Sequence, residues 1–408
     1  MSGALSHIRV LDLSRILAGP WSGQILADLG AEVIKVERPQ VGDDTRTWGP
    51  PFLKDEEGND TAESAYFLSA NRGKKSVAVD MTTPEGQEVI RALAQHADIV
   101  LENFKVGGLK KYGLDYDSLK ALNPKIIYCS ITGFGQTGPY SHRPGYDFMI
   151  QGMGGLMSLT GEKDGVAGGG PQKVGVALAD VLTGMYATTS VLAALAHRDH
   201  TGVGQYIDLA LLDVQAACLA NQGTNYLIGG QVPQRLGNAH PNIVPYQTFA
   251  TEDGFIILAV GNDGQFGRFC QLIDRADLAT DERFASNKAR VENRVELIAL
   301  LEPHLLTRSS ETWLADLEKA SIPCGPINTV DKVFENPQIQ HREMQVDIPH
   351  PLSGTVPQVG SPMKFSETPI TYNQAPPTLG QHTESVLADI LQLDAEAITA
   401  LKDKNIIN

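Results

Sequence analysis

The sequence predicts an α/β fold: a parallel β-sheet domain into which a smaller α+β domain is inserted. Three observations carry this. Apolar strand segments alternate with amphipathic helix segments through the first 131 residues, hairpin-like patterning takes over near residue 228, and a Pro- and Gly-rich stretch then leads to two final helices. Parallel neighbours need crossover connections, nearly always right-handed, so repeated strand–helix–strand units imply one Rossmann-like sheet.

The first unit is "IRVLDLSRILAGPWSGQILADLGAEVIKVERP". "RVLDL" is a short apolar strand and "AEVIKVE" the next. Between them Pro20 suits a first helical turn, where its missing N–H costs nothing, and Gly30 suits the helix C-terminus. "KSVAVDM" renews the pattern, Thr82 or Thr83 caps a helix opened by Pro84, and "DIVLEN" follows as a strand. A short helix then precedes the strand "KIIYCSI" at 125–131. Residues 145–227 read as mostly helical, in "YDFMIQGMGGLMSLTG", "DVLTGMYATTSVLAALAHRDH" and "LLDVQAACLANQGTNYLIGG". The Gly-rich loop "EKDGVAGGGPQ" lies between the first two and suits a lid; the strand "QYIDLAL" lies between the last two.

"VPYQTFATEDGFIILAVGN" reads as an antiparallel hairpin turning at Glu252–Gly254, and helices follow it. Residues 347–380 read as extended chain with little secondary structure, laid over another surface. The expected domains are 1–200 for the first part of the large domain and 228–328 for the small one. Residues 329–408 form a return segment and C-terminal helices that complete the large domain.

Composition narrows the function. The 408 residues are 42% hydrophobic and 20% charged, ordinary for a globular protein, and no apolar run of about 18 residues suggests a membrane-spanning helix. The start, "MSGALSHIRVLDLS", lacks the pattern of a signal peptide. A net charge of −15 argues against nucleic acid or an anionic membrane as partner, and leaves room for an anionic small molecule where a few cations gather. Cys129, Cys218, Cys270 and Cys324 form no CxxC pair, and the histidines have no ligand spacing. No metal site is therefore expected, and a reducing cytoplasm fits. GxGxxG, Walker and GxSxG motifs are also absent, which weakens the dehydrogenase, kinase and serine-hydrolase readings.

In "KVGVALADVLTGMYA" one acid, Asp180, stands among small and apolar residues. At the start of a helix it suits a capping role, where an acid meets the helix dipole. It also suits a nucleophile that attacks an activated acyl group to form a mixed anhydride. The pattern by itself leaves both readings open.

The chain resembles the class III CoA-transferases, the formyl-CoA transferase and carnitine CoA-transferase family, which also contains α-methylacyl-CoA racemase. The resemblance is carried by seven blocks in order: "VLDLSRILAGPWSGQILADLGAEVIKVERP", "NRGKKSVAVDM", "DIVLENFKVGGLKKYGL", "ITGFGQTGPY", "GYDFMIQGMGGLMSLTG", "GVALADVLTGMYA" and "TLGQHT". It implies that Asp180 is the acyl-accepting nucleophile, working through an aspartyl–acyl anhydride and an aspartyl–CoA thioester. It implies no permanently bound cofactor, with the CoA thioester arriving as substrate, and an interlocked homodimer. Matching positions place Arg38 beside the adenine, and Val79, Asp80, Met81, Asn103, Phe104 and Lys111 along the nucleotide and pantetheine. Tyr146 lines the pantetheine channel, and Arg72, Lys74 and Lys75 of "NRGKKS" could meet the 3′-phosphate. Formyl-CoA transferase has a glutamine where this chain has Leu17. Oxyanion stabilisation therefore passes to backbone donors near Ala18 and the Gly168–Gly170 loop, with Gly169 at its centre.

Racemases of the family carry a histidine before an aspartate where this chain has Tyr146, a poor base at neutral pH, so the transferase reading leads the racemase one. A non-catalytic CoA-binding protein and a thioesterase are further alternatives. "GDDTRTWGPPF", "IIYCSITGFGQTGP" and "NIVPYQTF" resemble the succinyl-CoA–glutarate branch. A dicarboxylate needs a cation for its distal carboxylate. Arg46 and Arg143 are the candidates, Arg143 being counted among the CoA-binding set as well, with His240 in support.

Overall fold

The computed structural model describes residues 3–408. Its main sheet joins β1 (Arg9–Asp12), β2 (Glu32–Glu37), β3 (Lys74–Ala78), β4 (Ile99–Glu102), β5 (Ile127–Thr132) and β6 (Tyr206–Ala210) in the order β3-β2-β1-β4-β5-β6. Every pair is parallel, with Leu11 beside Ile34 on one side and Val100 on the other. β4 and β5 are buried along their whole length, as strands covered on both faces must be. The order reverses between β1 and β4, and such a reversal opens a crevice at the carboxyl ends of the strands.

Alternation along the strands sorts the core into two layers. Leu11, Ile34, Val77 and Val100 face α2 (Pro84–Gln95) through Val89, Ile90 and Leu93. Val10, Val33, Ile99 and Leu101 face α1 (Ala18–Asp28) and α4 (Leu178–Thr201), where small residues such as Ala179 and Ala187 are buried. The approach of α1 to α4 is set by Gly184: a Cβ there would stand 2.7 Å from the Ala18 carbonyl oxygen. The hydroxyls of Ser22 and Thr188 meet across the same contact at 3.0 Å. By length and composition α4 could cross a membrane, but half of its apolar stretch is buried in this core. The sequence showed no such run because polar residues interrupt it at Asp180 and at the threonines.

Local signals were realised with adjustments. Thr83, not Thr82, caps α2, its hydroxyl accepting from the Gly86 N–H at 3.1 Å, with Pro84 at the first position. Gly30 sits just past α1 with φ +99°, a conformation that favours glycine. The helix expected over 146–161 is broken into α3 (Asp147–Met153) and Leu156–Leu159 by Gly154–Gly155, Gly155 having φ +84°. The 347–380 stretch is more structured than expected: Gln345–His350 and Gly354–Val359 pair as an antiparallel hairpin. Pro349 and Pro357 within it hid the strand pattern. Beyond it the chain covers the outer edge of β3. Gly73 N–H donates to Gln374, the His382 N–H to the Ser76 carbonyl and the Ala78 N–H to the Thr383 hydroxyl, and Val79 bridges to Ile407.

Two compact units emerge. One runs through Leu156 and takes in Val174–Thr224 and Pro337–Asn408; the other comprises Met157–Lys173 and Asn225–Asn336. The second is built on three antiparallel strands, with Phe255–Ala259 between Tyr246–Ala250 and Cys324–Pro326, over a core that includes Phe266, Phe269, Leu301 and Trp313.

Candidate active site

A cavity of about 490 Å³ opens at the carboxyl ends of the strands, where the strand order reverses. The turns after β1, β3 and β4, the ends of β2 and β5, and the first turn of α4 all line it. Its floor is a buried charge network. Asp12 accepts from the Ser14 N–H and hydroxyl and from Lys74 Nζ at 2.9 Å. Lys35 Nζ bridges the Ser14 carbonyl at 3.0 Å and Asp43 at 2.8 Å. Against the cost of burial, the Lys35 charge and hydrogen bonds hold Asp43 down at about 2, whereas burial brings Lys74 down to about 8. Asp43 also receives the Ile16 N–H on both oxygens at 3.2 Å. Ile16 has φ +73°, a strained value for a β-branched residue, and Asp43 fixes the turn that delivers Leu17 and Ala18 to the cavity.

Asp180 lies in the first turn of α4 and lines the cavity. It does not cap the helix. Ala177 is at the cap position, and the N–H groups of Ala179 and Asp180 donate instead to Asp147 Oδ1, at 2.8 and 3.4 Å. Among the described residues no hydrogen bond reaches the Asp180 carboxylate. Burial, then the facing charge of Asp147, push its pKa up to about 7. Such a carboxylate is poorly solvated and basic, which suits attack on an acyl group.

Most of the residues named from the sequence meet here: Ala18, Arg38, Val79, Asp80, Met81, Asn103, Phe104, Lys111, Arg143 and Tyr146 line the same cavity as Asp180 and Leu17. Three do not. Arg46 is buried, with Nε and Nη2 on Glu37 at 2.7 and 2.8 Å, Nη1 on Glu63 at 2.6 Å and its guanidinium over the Phe67 ring. Its charge is taken up by two buried acids, Nη2 also donates to the Pro377 carbonyl, and it does not line the cavity, so its place is structural. Arg72 is held by Asp28 at 2.8 and 2.6 Å and by the Val359 carbonyl, and Lys75 by Glu32 at 2.7 Å. With Lys74 on Asp12 beneath the cavity, the "NRGKKS" cations are all paired within the fold, and none of them lines the cavity. Gly169 and His240 belong to the second unit. Gly169 pairs with Glu162 in an isolated bridge, and His240 Nδ1 accepts from the Asn242 N–H at 3.1 Å beside the Tyr246 ring.

The cavity's own cations differ from these. Arg38, Lys105, Lys111 and Arg143 line it, and none forms an ion pair among the described residues; Arg143 rests over the Phe134 and Tyr140 rings. Lys105 was missed in the sequence although it follows Asn103–Phe104 directly. Asp147 was missed beside Tyr146, and so was Glu102. Glu102 is buried at the end of β4 and accepts from the Phe104 N–H at 2.8 Å, and burial pushes it up to about 7. Tyr66 lies close enough that, after burial, the charges of Asp180 and Asp147 help raise its phenol to about 12.

The profile of CoA-transferase family III matches residues 5–383. The chain is 52% identical to a succinate–glutarate CoA-transferase of Agrobacterium fabrum over 393 residues, 96% of this chain and 97% of that protein. It is 43% identical to a succinyl-CoA:glutarate CoA-transferase of Mus musculus, over 99% of this chain and 90% of that one. Among solved structures, a CAIB/BAIF family protein from Brucella suis superposes with a TM-score of 0.83 at 53% identity, covering 96% of this chain and all of its own. A reversed-order parallel sheet with four unpaired cations lining the cavity at its carboxyl edge, matched along almost its whole length by these relatives, makes the chain a member of CoA-transferase family III.

Proposed function

We propose that the enzyme moves CoA from succinyl-CoA to glutarate or a similar dicarboxylate, with Asp180 as the nucleophile. One observation carries the reading: a single carboxylate without hydrogen bonds, Asp180, shares a cavity with four cations that no acid neutralises. Arg38, Lys105 and Lys111 suit the phosphates of CoA, and Arg143, the cation nearest Tyr146 in sequence, suits the distal carboxylate of the acid. The substrate pair comes from the relatives' activities, those of succinate–glutarate and succinyl-CoA:glutarate CoA-transferases.

In the proposed course an Asp180 oxygen adds to the thioester carbonyl and CoA leaves as thiolate, giving an aspartyl–succinyl anhydride. The thiolate adds to the aspartyl carbonyl and releases succinate, leaving an aspartyl–CoA thioester. Glutarate then displaces the thiolate to form a second anhydride, and the thiolate attacks its glutaryl carbonyl. Glutaryl-CoA leaves and the Asp180 carboxylate is restored. The Leu17 side chain has no donor to offer the tetrahedral oxyanions, so backbone N–H groups near Ala18 take that role. The strained Ile16 turn supports this reading, because it holds those groups in one orientation.

Tyr146, 60% exposed, stands where a racemase needs a base. We therefore expect no solvent deuterium at the α-carbon of a 2-methylacyl-CoA. An interlocked homodimer fits the exposed Tyr226, Leu227, Ile228 and Val232, the middle two more than four-fifths exposed. Light scattering at micromolar concentration tests it. The main experiment is a panel of acyl-CoA donors and carboxylate acceptors, with hydroxylamine trapping during turnover. Adduct at Asp180 and exchange dependent on acceptor are expected. Exchange that persists in Asp180→Ala, or CoA release without acceptor, overturns the reading.

A further inference from the structure

Helix α3 carries Asp147 and Gln151 one turn apart, and both reach the chain that enters α4. Asp147 Oδ1 takes the N–H groups of Ala179 and Asp180, while its Oδ2 accepts from Gln151 Nε2 at 2.8 Å. Gln151 is fully buried. Its Oε1 accepts from the Val174 N–H at 2.9 Å, and Nε2 lies 3.4 Å from the Val176 carbonyl. The two side chains thus grip residues 174–180 at both ends. α4 has no side-chain cap of its own, so an acid from another helix occupies the place where negative charge meets the helix dipole.

We propose that Asp147 is a positioning residue for acyl transfer: it fixes the peptide of Asp180, and its negative charge, facing the nucleophile, strengthens the nucleophile's attack. This rests on the reading of Asp180 as nucleophile. The two functions belong together because one oxygen of Asp147 binds the Asp180 N–H and so brings a like charge to the same turn. A more basic carboxylate attacks faster but is ionised over a narrower pH range, so the pair sets a compromise near neutrality.

The other ionisable groups on elements packed against α4 are differently engaged. Asp28 of α1 is paired with Arg72, and Asp208 of β6 accepts from the Gln136 N–H. Tyr128 and Cys129 of β5 are held neutral by burial, as is Tyr206 of β6. Asp213, on the helix Leu211–Ala217, is exposed. On α4 itself Arg198 pairs with Asp98, while Tyr186, His197, Asp199 and His200 lie further along the helix than Asp180. Tyr66 also faces Asp180, as a neutral phenol.

The test uses the full-length enzyme and two variants, with kcat/KM followed from pH 5 to 9 and hydroxylamine trapping in parallel. Asp147→Asn keeps an acceptor for the two N–H groups and removes the charge. Its acid limb should move down by about one pH unit and its plateau should fall about tenfold. Gln151→Ala loosens the grip and keeps the charge, so kcat should fall with the acid limb unmoved. Should Asp147→Asn trace the wild-type profile while wild-type enzyme still yields the Asp180 adduct, the inference falls and the nucleophile stands. No adduct at Asp180 in wild-type enzyme removes the nucleophile and the inference together. If Asp147→Asn does not fold, an acid limb that shifts in Gln151→Ala overturns the assignment of the charge to Asp147.

Discussion

The Asn103 side chain brackets the peptide of Arg15, its Oδ1 accepting the Arg15 N–H at 2.9 Å and its Nδ2 donating to the Arg15 carbonyl at 2.7 Å. The turns after β1 and β4, on either side of the strand reversal, are thereby joined directly above the cavity floor. The Arg15 guanidinium, over the Phe104 ring and paired with Asp44, adds to the joint. Each hydrogen bond of this kind contributes about 1 kcal/mol. Asn103→Ala should therefore raise KM for acyl-CoA about tenfold with a smaller change in kcat, as initial rates over a range of donor concentrations would show.

Arg143 and Arg46 were equal candidates in the sequence and should now behave oppositely. Arg143→Ala should raise KM for glutarate about tenfold, leave KM for a monocarboxylate acceptor unmoved, and keep the wild-type Tm. Arg46→Ala leaves Glu37 and Glu63 buried without their cation, a loss of about 3–5 kcal/mol. Its mark should be a lower Tm and poor expression. Equal KM effects from both variants would refute this division.

Asp180→Asn should abolish exchange and stabilise the fold above neutrality. The Asp180 pKa rises on folding from an ordinary 3.8 to about 7. Its contribution to stability is therefore full below pH 4 and is lost as pH rises through 7, to a limit of about 4 kcal/mol. Thermal melts at pH 5 and pH 8 should show the variant's advantage growing with pH.

Gly184→Ala should separate α1 from α4. The added methyl meets the Ala18 carbonyl oxygen at 2.7 Å and Trp21 Cβ at 2.9 Å, a clash costing about 1–3 kcal/mol. Ala18 and Asp180 sit on the two helices concerned, so kcat should fall along with Tm. A variant of unchanged Tm and kcat would show that the helices part at no cost to the site.

The sheet was legible because its strands are short apolar runs punctuated by Pro84, Gly30 and their like, signals that act within a few residues. Asp180 was visible as a lone acid, but its setting was not. Asp147 comes from a helix 33 positions earlier, so nothing local in "GVALADV" revealed that the cap was supplied from outside. The cations of "NRGKKS" misled for the same reason. Their acids lie 43 to 62 positions away in the chain, and only folding shows which lysines and arginines are paired and which, like Arg38 and Lys111, face a cavity unpaired. The Pro-bearing hairpin at 345–359 was hidden by residues that break the strand pattern locally yet are tolerated in a two-stranded ribbon.

The cover over β3 has a consequence for biosynthesis. Ser76 and His382, which exchange hydrogen bonds at that edge, are 306 positions apart. While the ribosome is still making the second unit, β3 presents an open strand edge, the kind of surface that recruits other nascent chains. The wall formed by Val79–Met81 takes its final place only when residues 374–407 have emerged. Ribosome stalling or premature termination in that last stretch would thus yield a chain with Asp180 in place and one wall of its cavity unfinished.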